Sequence, residues 1–454
     1  MSKTLEYSTN SRLKSRLRGE VILKDDELYD EARRVWNGRI DKYPFMIVRC
    51  LDITDVLLAI EFARDWDMTV AVRSGGHSMV GYSVSDGGIV IDLSRMNGLW
   101  VDPIKRVARV QAGLTLGEFV RQTQSYGLTT TTGTVSGTGV GGLTLGGGIG
   151  WLMGKYGMTI DNLLSADLIT ADGQALTASA TENPDLFWGL RGGGGNFGIV
   201  TSFEFQLHEI GPVLAGKVVY PLAKAREALS FYREFTSMAP DELTVYAVLE
   251  SASNGSPVIV INLCYCGPLS EAERLVEPLK NFGSPLVDLV HVRPYYQTIS
   301  HDTGAPDGRH YYEKAYSFQE LSDEVIDIVA EYSTSRTSSH SQVLIQHVHG
   351  AVSRVSQSAT AFALRDVPYV MNIVAAWNAH ESNLAEQHMQ WASKLQTALE
   401  PFAESGVYSN FLGDEGDEQI RSSYGTNYER LVALKNRYDP TNFFQLNQNI
   451  KPTF

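Results

Sequence analysis

The sequence predicts an α+β protein built from two units, and three observations carry that expectation. The chain has 454 residues, whereas single cores stop growing near roughly 250–300 residues. Residues 1–205 alternate helix-period and strand-period patterns. From about residue 213, strand-like runs alternate with long helical stretches, the pattern of a sheet with helices on one side.

The elements follow in order. TDVLLAIEFARDW (54–66) places Val56, Leu57, Ile60 and Ala63 on one helical face. MTVAVRSG and GGIVIDLS read as short strands. TLGEFVRQTQSYG opens with Thr115 and Glu118 in capping-box spacing and closes on Gly127. LTVYAVLE, PVIVINLCYC and HSQVLIQHVHG are strand-like, and NLAEQHMQWASKLQTALEPFAES is helical. YERLVALKNRYDPTNFFQLNQNI predicts a helix stopped at Asp439–Pro440, then an extended segment.

Net charge is −14, which argues against nucleic acid or an anionic membrane as a partner. No apolar run approaches the length of a bilayer span. The first twenty residues lack the apolar core of a secretory signal. Cys50, Cys264 and Cys266 are too few for a disulfide framework and read as thiols in a reducing cytoplasm. No metal site is expected.

Glycine concentrates at two places. RSGGHS sets His77 behind two glycines, and GTVSGTGVGGLTLGGGIG (133–150) holds nine glycines in eighteen residues. G-x-G-x-x-G occurs twice, at 137–142 and 193–198. A Rossmann site needs those glycines to end a strand and open a helix. Each glycine costs a helix about 1 kcal/mol against alanine, so no helix is expected in the 133–150 run. Backbone stripped of side chains instead lines a groove and offers N–H groups to phosphates.

RSGGHS, the glycine run, RGGGGNFGIVT and YDPTNFFQLNQNI together resemble the berberine-bridge-enzyme-like flavoprotein oxidases. These belong to the vanillyl-alcohol-oxidase/PCMH superfamily, and the likeness extends to its 6-hydroxynicotine-oxidase-like members. It covers nearly the whole chain. The resemblance implies a PCMH-type FAD-binding domain split between residues 1–210 and 414–454. A substrate domain at 211–413 would carry a large antiparallel sheet covered by helices. It also implies FAD attached covalently through a ring nitrogen of His77. The position of a second, cysteinyl tether falls on Val135, between Thr134 and Ser136, so a single link is expected.

The other FAD contacts it implies are Arg73, Ser74, Gly75, Gly76, Ser78, Gly81, Asp92, Gly142, Gly147, Gly150, Asn162, Ile199, Val200, Asn447 and Asn449. Thr138 would stand beside the flavin and govern access of oxygen. Asp92 also reads as a solvated strand end. Asn447 and Asn449 lie two apart on an extended tail, so both can face one side.

The activity implied is hydride transfer from an alcohol or amine C–H of a small molecule to FAD, with molecular oxygen giving hydrogen peroxide. A same-fold dehydrogenase with another acceptor, or a silent flavin-binding protein, are the alternatives. The two base positions of relatives hold Phe411 and Val370, neither of which takes a proton. In VLIQHVHG, Ile345, His347 and His349 alternate onto one strand face, giving a base and orienter or two structural histidines. Tyr312, Lys314 and Tyr316 share a face in HYYEKAYSF, and Asn372 is expected near the pocket as a hydrogen-bond donor. An amine bound as the free base needs no strong base, which tilts the substrate toward a nitrogenous or aromatic metabolite.

Overall fold

The computed structural model describes residues 13–299 and 308–453. Of the 296–312 loop expected to shape the pocket, residues 300–307 lie outside the described residues.

Buried apolar runs build the first unit. Strands β1 (Glu20–Leu23), β2 (Met46–Arg49), β3 (Val70–Arg73) and β4 (Ile89–Asp92) form a sheet in the order β1-β2-β4-β3. β2 and β3 run parallel to β4, and all four residues of β4 are buried, as a strand covered on both faces requires. β5 (Leu99–Asp102), β6 (Val107–Gln111), β8 (Leu163–Ile169), β9 (Ala175–Ser179) and β10 (Ile199–Gln206) make an antiparallel sheet. β7 (Leu128–Thr129) pairs with β11 (His208–Glu209). Helix Ile53–Asp65 starts where the Asp52 carboxylate accepts the Thr54 and Asp55 N–H groups. Helix Leu116–Gln124 starts on the expected Thr115–Glu118 capping box.

The glycine run corrects one expectation. Val140–Gly146 is helical despite three glycines, because close backbone packing outweighs their intrinsic cost: a Cβ on Gly141 would stand 3.1 Å from the Ala112 carbonyl. The Rossmann context is still missing, since the preceding strand β7 pairs antiparallel with β11.

The second unit is an eight-stranded sheet of β12 (Val213–Pro221), β13 (Leu243–Ser251), β14 (Pro257–Tyr265), β15 (Val287–Asp288), β16 (His291–Arg293), β17 (His310–Phe318), β18 (Gln342–His347) and β19 (Tyr369–Trp377). Its main order is β15-β12-β14-β13-β18-β19-β17. One face, with Val245, Ala247, Val343, Ile345, Met371 and Ile373, packs on the helices of this unit. The opposite face, with Tyr246, Leu344 and Val370, packs on Trp151, Met153 and Tyr408. The chain then returns, and helix Tyr428–Tyr438 buries Leu431, Val432 and Leu434 in the first unit's core. No described helix is long and apolar enough to cross a membrane.

Candidate active site

The His77 loop follows β3 and lies against the glycine run. Ser74 Oγ donates to the Ala112 carbonyl at 2.5 Å. A Cβ on Gly75 would stand 2.2 Å from the backbone nitrogen of Gly139, so only glycine lets the two loops touch. Gly76 turns with φ +71°, a left-handed conformation that glycine adopts freely. Arg73 is buried beneath the loop, donating to the Ser83 and Ala32 carbonyls and lying 3.8 Å from Asp92. Asp92 is itself buried between Arg49 and Arg73, not a solvated strand end. The His77 ring stands half-buried beside Thr138, Nδ1 to Oγ1 3.5 Å. Its face stacks on Trp36 at 5.4 Å, and Trp36 stacks in turn on Tyr311 of β17 at 4.0 Å.

The remaining residues expected to hold FAD divide in two. Gly142 is exposed, and an added Cβ meets no protein atom within 4 Å, so its backbone is open to a ligand. On the C-terminal tail the buried side-chain oxygens of Asn447, Gln448 and Asn449 have no protein donor. Unpaired buried acceptors cost about 1–3 kcal/mol each, so three in succession fit a bound group rich in donors and polar edges. Gly147, Gly150, Ile199 and Val200 are buried scaffold around that groove. Ser78 Oγ accepts the Tyr82 N–H, and Gly81 turns with φ +75° against Ile40. Asn162 is already engaged by the protein: its amide donates to the Tyr156 and Met158 carbonyls, and its oxygen meets His208 Nε2 at 2.6 Å.

Strand register decides which side chains face this groove. The face bearing Tyr246 and Val370 also carries Gln346, Asn372, Glu313 and Ala315, aligned by the pairings Tyr246–Gln346, Gln346–Val370 and Asn372–Ala315. Asn372 is buried with its side-chain oxygen unpartnered.

His347 does not reach it, and His349 lies past the end of β18 with its ring against Gly154. His347 shares the parity of Val343 and Ile345, pairs with Tyr369 and lies behind the sheet. Its ring stacks on His349 at 4.7 Å and lies tilted against Tyr369 at 5.3 Å. Burial lowers both imidazoles' proton affinity, His347 to about 3. Tyr312 likewise points to the helix side, its hydroxyl 3.2 Å from Ser393 Oγ. Lys314 is committed to Glu415 at 2.9 Å, an ion pair that raises its proton affinity rather than freeing a base.

Two residues on the groove side were not foreseen. Tyr408 is buried and its hydroxyl accepts from Gly148 N and Asn410 Nδ2, both at 2.8 Å, so it holds the glycine run in place. Glu313 was hidden in the same strand from which Tyr312 and Lys314 were drawn.

Comparison with known proteins decides the family. Residues 44–179 match the FAD binding domain model, and residues 407–451 match the berberine and berberine-like model. The chain is 33% identical to an uncharacterized FAD-linked oxidoreductase of Bacillus subtilis, covering 97% of this chain and 98% of that one. It is 31% identical to (R)-6-hydroxynicotine oxidase of Paenarthrobacter nicotinovorans, over 96% and 97%. This chain belongs to the berberine-bridge-enzyme-like FAD-linked oxidoreductases. The crystal structure of 6-hydroxy-D-nicotine oxidase from Arthrobacter nicotinovorans superposes with TM-score 0.87 at 29% identity, covering 96% of this chain and 98% of that one. In this berberine-bridge-enzyme-like oxidoreductase, the matched FAD domain contains the His77 loop and the glycine run, and the matched tail contains the three unpaired amide oxygens. FAD is its cofactor, and among the described residues no group of His, Cys, Asp and Glu could hold a metal.

Proposed function

We propose that this enzyme holds FAD covalently through His77 and oxidises a small molecule at a carbon bearing a hydroxyl or amine, passing the electrons to oxygen. The observation that carries the reading is the position of His77. Its ring lies at the junction of the open glycine groove with the substrate-domain sheet, reached through Trp36 and Tyr311. Val135 at the second tether position leaves one covalent link, since a valine side chain forms no thioether.

Bound FAD supplies a two-electron acceptor. The chain's own groups orient: Asn372 presents an unpaired amide oxygen to a substrate donor, and Tyr408 fixes the Gly148 backbone against the ligand. The oxygen-rich sheet face favours a substrate that donates hydrogen bonds, as amines and polyols do. Relatives include both an (R)-6-hydroxynicotine oxidase and a xylooligosaccharide oxidase.

Acid precipitation tests the link: yellow colour stays with the pellet of wild type and leaves that of His77→Ala. Anaerobic bleaching near roughly 450 nm against cyclic amines, oligosaccharides and aromatic alcohols tests the reaction. Recolouring when air enters identifies the oxidase; recolouring only with an artificial acceptor identifies a dehydrogenase.

A further inference from the structure

Where does the substrate proton go, if the two positions used by relatives hold Phe411 and Val370? Strand β17 supplies an answer that rests on the flavin reading above. Its odd residues, Tyr311, Glu313, Ala315 and Ser317, face the groove, because Ala315 joins Val407, Phe411 and Leu412 in a small cluster on that side. Phe318, of the opposite parity, lies in the helix-covered core. Tyr311 is the residue that stacks on Trp36, which stacks on His77. Glu313 is two residues along the same face, roughly 7 Å further on.

Its surroundings leave the Glu313 carboxyl unclaimed. It is 7% exposed, and no described group donates a hydrogen bond to it or forms an ion pair with it. Its chain neighbour Lys314 leaves the strand on the other side and is bound to Glu415. Along β13, β18, β19 and β17 the groove-side positions contain no lysine, arginine or histidine. Across β19, Glu313 pairs with Val374, and the next groove-side pair is Ala315–Asn372.

We propose that Glu313 is the proton acceptor of the substrate pocket. The substrate carries an O–H or N–H on the carbon that is oxidised. As the C–H bond breaks, its hydride and both electrons go to the flavin, and the O–H or N–H proton goes to the Glu313 carboxylate. The carbon–heteroatom bond becomes double. The proton returns to solvent, and oxygen reoxidises the cofactor.

Burial pushes the Glu313 carboxyl up to about 8, and the Glu415 charge adds to the shift. Other charged or titratable groups near this corner are Lys314, which pairs with Glu415, and Tyr82, whose hydroxyl feels Asp414 and Glu415. Tyr82 keeps its proton beyond the usual tyrosine range, so it does not mimic a transition near 8.

The holoprotein tests this without any substrate. A carboxyl that ionises beside the flavin perturbs its visible spectrum, so absorbance titrated from pH 6 to 10 is expected to show a midpoint near 8. Glu313→Gln abolishes that midpoint and Glu313→Asp retains one, shifted. With a reducing compound from the panel above, Glu313→Gln slows anaerobic bleaching by about 10²–10⁴-fold at pH 9 and flattens its pH profile. A yellow wild-type protein with no midpoint, or a midpoint that survives in Glu313→Gln, overturns the assignment. So does a Glu313→Gln protein that bleaches at the wild-type rate. A colourless protein would instead refute the flavin reading.

Discussion

Asn37 and Tyr311 close a two-hydrogen-bond ring across the two units: Asn37 Oδ1 accepts the Tyr311 N–H, and Asn37 Nδ2 donates to the Tyr311 carbonyl, both at 3.0 Å. The side chain thereby does what a neighbouring strand would do for the free edge of β17. The same amide nitrogen donates to the Met79 carbonyl at 2.7 Å, which ties the loop after His77 into the junction.

Asn37→Ala follows from that geometry. Asn37 is completely buried, so its removal deletes its hydrogen bonds to the Tyr311 backbone and the Met79 carbonyl. The expected loss is about 2–3 kcal/mol of stability, read as a lower thermal midpoint. Flavin incorporation should fall with it, because Trp36 loses its seat between His77 and Tyr311. An unchanged midpoint with full flavin content would show that the junction closes by other contacts.

Two glycine-to-alanine changes are expected to fail for different reasons. At Gly75 the new methyl meets the Gly139 backbone nitrogen at 2.2 Å; neither backbone can yield, so the fold itself is destabilised. At Gly142 the methyl meets no protein atom, so the apoprotein melts as wild type does. FAD uptake is what suffers, since the methyl occupies the open groove. Comparing melting with and without added FAD separates the two outcomes.

His347→Gln should leave the rate of flavin reduction within about threefold of wild type, because the ring lies behind the sheet. Its signature is instead in acid stability. The folded chain holds His347 neutral down to about 3, while the unfolded histidine protonates near 6.5. Below pH 6.5 the unfolded state therefore binds the extra proton, and wild type loses stability as pH falls. The loss reaches about 2 kcal/mol by pH 5. Thermal midpoints measured from pH 7 to 5 should decline less steeply in His347→Gln. A slowed reduction would return His347 to the chemistry.

The histidines mark the limit of sequence reading. Alternation correctly placed Ile345 and His347 on one face, but alternation does not say which face looks at the site. The clue lay in the partners: Val343, Ile345, Met371 and Ile373 are uniformly apolar, as a helix-covered side must be. On strands buried on both faces, the parity that carries the polar minority, Gln346 and Asn372, is the one facing the ligand. The cofactor half was more legible because its signals are local: the RSGGHS loop and the Thr115–Glu118 cap are written in a few adjacent letters. The short helix at Val140–Gly146 was hidden because tertiary contact, absent from any local window, overrode glycine's propensity.

Lys435 and Asp439 pose the sharpest stability test. Both side chains are fully buried and meet at 2.6 Å. Lys435 Nζ also donates to the Asn196 and Phe444 carbonyls, and Asp439 accepts the N–H groups of Phe443 and Phe444. The pair thus joins the last helix, the RGGGGNFG turn and the tail leading to Asn447–Asn449. Lys435→Met removes the cation and leaves a buried carboxylate whose only compensation is backbone N–H groups. Breaking such a pair costs about 3–5 kcal/mol. The double variant Lys435→Met/Asp439→Asn removes the stranded charge and should recover part of that loss. If the single variant melts like wild type, the pair does not hold the tail. If it melts early yet keeps full flavin content, the tail's three amide oxygens are not what grips the cofactor.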